Sequence, residues 1–415
     1  MKHIWIVNYY TTPPDYVTHE RHLKFSHYLQ ESGYKVTIFT TSYGYWMQED
    51  VDFITNGEKY QYIDYGEHHF CHIKSTHYKG NGIKRAFSIF QFAFRMFLNR
   101  KQFKRPDVII HNIHEPFDYP ISWCAKSLRA KYVIDDWDLW AISFANHGFV
   151  KRNGVIDRLI RNSEYSLLKK ADAIVFSMEG GRDYIRDRGF STESGGKINP
   201  AKVFYINSGV DLSQFEQNAI KYRIEDPDLE NRSSFKAVYM GAISKANDIE
   251  KLVEAAQILK EDNRVKILIY GNGSERERLE QLKIKNGLDN LIFKQKRIPL
   301  SNVPYVLRSC NLSLLNHHQS DTGKYGISLG KFFQYLAAGN PICGNIDPAY
   351  NYVKKYNLGV SKVFSSAKEY AEAILSFVDM PQENYRSMCE RVKKTACMFD
   401  YKLLSMQLVD IIKTL

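Results

Sequence analysis

Ser328-Leu-Gly-Lys-Phe-Phe-Gln-Tyr-Leu-Ala-Ala-Gly-Asn-Pro341 is the stretch that organises the rest of the chain. Ser328 carries the hydroxyl of a good N-cap, able to accept from an otherwise unpaired first-turn amide. Gly339 suits the left-handed position that closes a helix, and Pro341 blocks continuation. These signals predict a short helix of about ten residues. Lys331 falls in its first turn, where backbone donors and the helix dipole already favour an anion. Lys331, Gln334 or Tyr335, and Ala338 recur on one face. A cation followed one turn later by an amide fits a phosphate followed by a sugar hydroxyl.

Working outward, residues 3–10 read as a buried strand, 18–32 as an amphipathic helix ending at Gly33, and 35–40 as a second strand. That is a βαβ opening. Short apolar runs at 107–111, 131–134 and 173–176 continue the pattern, as parallel strands buried on both faces do. It restarts at 236–240 and goes on through 266–270, 291–293, 312–315 and 341–343, with helical pattern over 366–378 and 383–415. Two successive α/β series predict two Rossmann-like domains facing each other across a cleft. The division is 1–212, 213–385 and a C-terminal helical segment, 386–415, that returns to the first domain. The first strand–helix turn, Thr11-Thr-Pro-Pro-Asp-Tyr16, lacks the dinucleotide fingerprint. Gly241 and Gly271-Asn-Gly273 follow strands of the second series, where glycine permits close backbone approach to a ligand.

The chain has 415 residues, 44% of them hydrophobic and 25% charged, so two cores are the natural reading. No apolar run reaches the ~20 residues of a membrane span. The start reads as a strand rather than a signal peptide. Six cysteines without paired spacing point to neither a disulfide framework nor a zinc site, and to a reducing cytoplasm. The net charge of +11 leaves nucleic acid, anionic lipid or phosphorylated small molecules open as partners. Nucleic acid is the poorest fit, because the basic residues sit on no recognised module. His68-His-x-Cys71-His72 lacks a second ligand pair and reads as strand.

Residues 84–105 carry seven basic side chains, no acid and many aromatics. As a helix, this segment is apolar over most of its circumference, with Ser88, Gln91 and Arg95 as a narrow polar stripe. It reads either as an interfacial helix on the inner, anionic membrane surface or as a helix packed on the sheet with solvated basic ends. The first reading makes the protein cytoplasmic and peripheral on the membrane's inner face.

Taken in order, several motifs resemble the retaining GT-B glycosyltransferases of family 4, in the bacterial surface-polysaccharide branch. They are Ile113-His-Glu-Pro116, Asp138-Leu-Trp140, Ala171-Asp-Ala-Ile-Val-Phe-Ser177, Asn207-Ser-Gly-Val-Asp211, Tyr239-Met-Gly241 and the Lys331 helix. The resemblance implies sugar transfer from a nucleoside-diphosphate sugar, UDP-linked before GDP-linked, to a lipid-linked or oligosaccharide acceptor. It implies retention, no cofactor and no metal. Catalytic roles fall on His114, Lys331 and Lys245, and donor contacts on Gly241, Ser244, Gly271, Gly273, Tyr325, Gly326 and Gln334. Acceptor contacts fall on Asp15, Tyr16 and Asp138, with Glu115 a rival base beside a loop-shaping proline. Two departures stand out. Gln334 and Gly326 occupy positions where many members carry glutamates, and the family's glycine-rich first loop is replaced by Thr-Thr-Pro-Pro. They motivate an alternative, a catalytically weakened scaffold or nucleotide-binding subunit of a polysaccharide assembly complex.

Overall fold

The computed structural model describes residues 1–16, 19–44, 51–80, 82–114, 116–146 and 150–415, the side chains of 144–146 excepted. The chain divides into two compact units, Met1–Asn207 with Tyr401–Leu415, and Ser208–Asp400.

The first unit is built on an eight-stranded sheet: β1 (His3–Val7), β2 (Lys35–Thr41), β3 (Tyr60–Tyr65), β4 (His68–Ile73), β5 (Val108–His111), β6 (Lys131–Asp136), β7 (Ala173–Phe176) and β8 (Val203–Tyr205). Their order across the sheet is β8-β7-β6-β5-β1-β2-β4-β3. All neighbours are parallel except β3, which returns antiparallel on β4. Every residue of β1, β5 and β7 is buried, as strands covered on both faces require. His68–His72, read above as strand, is the second arm of a hairpin with Tyr60–Tyr65, turned at Gly66 with φ +61°. Its histidines serve the fold: His69 pairs with Asp64, and His72 contacts the Thr41 carbonyl and the Tyr65 hydroxyl.

Three helices of this unit matter below: α1 (Arg21–Glu31), α2 (Ile83–Asn99) and α3 (Pro120–Leu128). The expected C-terminal segment 386–415 is two pieces. Its first part belongs to a helix, Gln382–Ala396, that stays in the second unit. Only Tyr401–Thr414 joins the first, where Tyr401, Leu404, Leu408 and Ile412 enter a core with Phe25 and Leu29 of α1. The division falls at 207/208, a few residues before the expected 212/213.

The second unit holds β9 (Phe235–Met240), β10 (Val265–Tyr270), β11 (Leu291–Phe293), β12 (Leu312–Asn316), β13 (Ile342–Asn345) and β14 (Gly359–Lys362). They form one parallel sheet in the order β11-β10-β9-β12-β13-β14. The chain winds outward from β9 in one direction, then starts again at β12 in the other. Ligands of open α/β sheets bind beside such a reversal, at the carboxyl ends of the strands.

Two glycines there are fixed by backbone crowding. A Cβ on Gly271 would lie 1.8 Å from the Gly241 carbonyl oxygen, and one on Gly273 would lie 2.2 Å from that of Ile243. The loops after β9 and β10 are laced together by the Ile243 amide, which donates to the Asn272 carbonyl at 2.9 Å. These glycines therefore let backbone meet backbone. Gly271→Ala should destabilise the second unit by about 3 kcal/mol or more, since φ there is +136° and the clashing atom is backbone. Denaturant unfolding measures it, and an unchanged midpoint would contradict the crowding.

Candidate functional site

In the second unit, the predicted helix is observed as Gly330–Ala338, here α4. Gly339 closes it in the left-handed conformation, φ 82°, as its sequence position required. Ser328 is not its cap. The helix starts two residues later, Leu329 takes the extended cap position, and the Ser328 hydroxyl donates to Ser208 Oγ at 3.0 Å. Tyr335 pins the helix to the end of β9, its hydroxyl accepting from the Met240 amide at 2.9 Å and donating to the same residue's carbonyl.

Lys331 is thereby held at the reversal between β9 and β12. Its ammonium donates to Asn247 Oδ1 at 2.7 Å, to the Tyr239 hydroxyl at 3.1 Å and to the Asn316 carbonyl at 3.4 Å. It lies 4.7 Å from the centre of the Tyr239 ring. All of these partners are neutral. Burial without a carboxylate pushes the Lys331 pKa down to about 7, far below its ordinary value. Gly241 passes close by, since a Cβ there would come within 3.4 Å of the ammonium nitrogen.

Asn247 is oriented from behind, its Nδ2 donating to Ser244 Oγ at 3.0 Å. Asn316 is fixed by the Tyr370 hydroxyl, which donates to its Oδ1 at 2.6 Å. His317 belongs to the same neighbourhood: burial lowers its pKa, and the Lys331 charge adds to that. Asn247, Asn316 and His317 were not singled out in the sequence. The available signal was a polar run directly after an apolar strand, Asn316-His-His318, at the carboxyl end where α/β sheets bind ligands.

The other sequence candidates sit nearby or apart. Lys245 is exposed, two residues before Asn247, in a half-open depression with Ser244, Asp248, Glu250, Glu275, Arg278 and His318. Gln334 is half-buried one helical turn after Lys331, whereas Tyr335 and Ala338 are buried in packing. Lys331 and Gln334 are therefore what is left of the polar face read from the sequence. Tyr325 is buried and Gly326 takes φ 102°, both in the turn before α4.

The first unit has its own polar centre, following β5. His114 is buried, its backbone N–H donating to Asp118 Oδ2 at 2.5 Å and its Nδ1 lying 3.3 Å from the same oxygen. His111 Nε2 approaches that oxygen too, at 3.0 Å. Burial alone would raise the Asp118 pKa, but the two imidazoles outweigh it and hold the carboxyl well below the usual range. The His114 ring contacts Tyr10 and Trp140 edge-on, each at 5.0 Å. Arg85 caps both rings and donates from Nε to the Tyr10 hydroxyl at 2.7 Å. Tyr10, Arg85 and Asp118 were missed, because they converge only through the fold.

Asp15 is exposed, while Tyr16 turns its ring onto Phe53 at 5.8 Å. Asp138 is exposed. Asp135 is spent on Arg21, His22 and Trp137, and Asp136 is pushed well above the usual carboxyl range by burial and by Glu164. Among the described residues, no group of three His, Cys, Asp or Glu side chains is placed to hold a metal. Glu115 lies outside the described residues.

Residues 223–396, within the second unit, match the family model Glycosyl transferases group 1. Among curated proteins no match was found. Among solved structures, the chain is similar to one described as trehalose-6-phosphate from E. coli bound with UDP-2-fluoro glucose. The identity is 11% and the TM-score 0.70, over 100% of this chain and 99% of that one. A glycosyltransferase from Rickettsia africae gives 15% identity and a TM-score of 0.67, over 100% and 98%. Anabaena HepE in complex with UDP and glucose gives 13% and 0.64, over 100% of both chains. At such identities the likeness establishes the fold: α/β, of the GT-B type, along the whole chain.

The Lys331 site makes a pH prediction. Its folded pKa, about 7, lies below the ordinary 10.5, so between these values the folded state binds fewer protons than the unfolded one. Stability from this group therefore rises with pH across that window. The stability of the native protein relative to Lys331→Met should climb from about pH 7 towards about pH 10. Denaturant unfolding at a series of pH values reads the difference, and a flat profile would contradict the depressed pKa.

Proposed function

We propose that the chain is a glycosyltransferase that moves a sugar from a nucleoside-diphosphate sugar, UDP-linked before GDP-linked, to a lipid-linked or oligosaccharide acceptor. The observation carrying this reading is the Lys331 ammonium, held by three neutral acceptors beside the strand reversal of the segment that matches the glycosyl transferases group 1 model. Breaking the bond between the sugar and the diphosphate leaves both electrons on the departing phosphate oxygen. A cation already desolvated and aimed there stabilises that charge without reorganising. Two solved structures of similar fold carry UDP or a UDP-sugar by description, which favours a uridine donor.

In the same reading, Gln334 meets a ribose hydroxyl one turn along α4, and Lys245 approaches the phosphates from its exposed turn. Gly241, Ser244, Gly271, Gly273, Tyr325 and Gly326 shape the donor site. The first unit supplies His114, with Asp15, Tyr16 and Asp138, to the acceptor side. The new bond forms at the anomeric carbon with retention. The acceptor hydroxyl's proton goes to the departing phosphate, so no cofactor or metal is assigned. The product belongs to a capsule, O-antigen or exopolysaccharide made at the cytoplasmic face of the membrane, in the family 4 surface-polysaccharide branch. Gln334, standing where a glutamate is common, favours a second reading as a weakened scaffold that binds nucleotide without turning it over.

Lys331→Ala should lower kcat/KM by roughly a hundredfold while the protein stays folded, the scale of losing one preorganised charge-stabilising donor. Sugar-nucleotide consumption by the purified chain checks this, and unchanged kinetics would remove Lys331 from the mechanism. Thermal shifts with UDP, GDP and their sugar conjugates identify the donor, since a ligand of the folded state raises its melting temperature. A nucleotide that binds without any transfer would favour the scaffold.

A further inference from the structure

Helix α2 buries Ser88, with Gln91 and Arg95 beside it, on the same inward face as Ile89, Phe92, Ala93 and Met96. Ser88 is buried, and its hydroxyl bonds the Tyr9 hydroxyl and the Thr76 carbonyl, each at 2.7 Å. Gln91 Oε1 accepts from the Thr76 amide at 2.7 Å and its hydroxyl at 3.0 Å, and Arg95 donates to the Lys74 carbonyl at 2.5 Å. These bonds satisfy the loop after β4, which would otherwise bury bare backbone groups. The narrow polar stripe of the sequence is thus part of the docking face of the helix.

With that face occupied, a second set of apolar side chains is left outside. Ile83, Phe87, Phe90, Phe94 and Leu98, with Trp123 of the neighbouring α3, are between 37% and 89% exposed. They recur every three to four residues and form a ridge about 22 Å long at the helical rise per residue. Phe90 and Phe94 stack at 5.6 Å, and Trp123 meets Phe97 at 5.5 Å. A contiguous aromatic ridge of this kind marks an interaction surface.

Charge identifies the occupant. From Gly82 to Pro106 there is no acidic residue. Lys84 is exposed at one end of the ridge, Lys101, Lys104 and Arg105 at the other, and Lys126 and Arg129 on α3. Exposed aromatics bordered by cations at both ends match the layering of an anionic bilayer surface, with acyl chains beneath phosphate headgroups. Among the described residues no helix is long and apolar enough to cross a membrane. We propose that α2 and Trp123 form a docking surface for an anionic lipid bilayer, with the ridge inserted and the flanking lysines on the headgroups. This inference is independent of the sugar-transfer reading, since none of its ridge residues belongs to the Lys331 or His114 centres.

The test is co-sedimentation of the full chain with vesicles of phosphatidylcholine alone or with phosphatidylglycerol added. The expected result is binding to the anionic vesicles that weakens as salt rises. It should fall about tenfold or more in Phe90→Ser/Phe94→Ser/Leu98→Ser, and likewise in Lys84→Gln/Lys101→Gln/Lys104→Gln. Unchanged thermal unfolding of both variants shows that the fold persists, and the salt dependence of the native chain tests the proposal without any substitution. No binding, equal binding to neutral vesicles, or binding that ignores both variants would overturn it. So would a dimer in light scattering that the serine variant dissolves while vesicles are not bound, because the ridge would then meet a second copy.

Discussion

A single ammonium buried among neutral oxygens sets the chemistry of the second unit. Lys331 is solvated by Asn247, Tyr239 and the Asn316 carbonyl, but nothing there neutralises it. Taking a cation out of water without a counter-ion is costly, and the depressed pKa expresses that cost. The arrangement persists because the surroundings determine it. Tyr335 ties α4 to β9, Tyr370 fixes Asn316, and Ser244 fixes Asn247. In the proposed function, an incoming diphosphate would supply the missing negative charge.

The first unit treats its buried charges in the opposite way. Asp135 is met by Arg21, His22 and Trp137, and Asp118 by His111 and His114. Both carboxylates are held ionised by their partners against the pull of burial. Such charge-paired networks fix geometry. His114 is oriented by Asp118 and framed by Tyr10, Trp140 and Arg85, which suits a group that positions a substrate.

Much of the fold was legible because buried parallel strands are continuous apolar runs, and those runs stand out in any sequence. What escaped was short or unusual in composition. β14, Gly359-Val-Ser-Lys362, has a single apolar side chain, and β8 is only three residues long. The Ser328 cap failed because a capping residue is recognised by type, while the helix start depends on backbone geometry. Lys331 was visible through its helix, but Asn247 reaches it from 84 positions away. No local pattern carries that contact. Which side of α2 docks was left open for a related reason: the sequence shows a polar stripe, and the carbonyls of Lys74 and Thr76 that it meets come from another part of the chain.

The most direct measurement is the titration of Lys331 itself, followed by NMR of side-chain-labelled lysines and assigned with Lys331→Arg. The account predicts a lysine that titrates near 7 in the free protein and moves upward once UDP is bound. A Lys331 resonance that titrates near the ordinary 10.5 and ignores the nucleotide would contradict it.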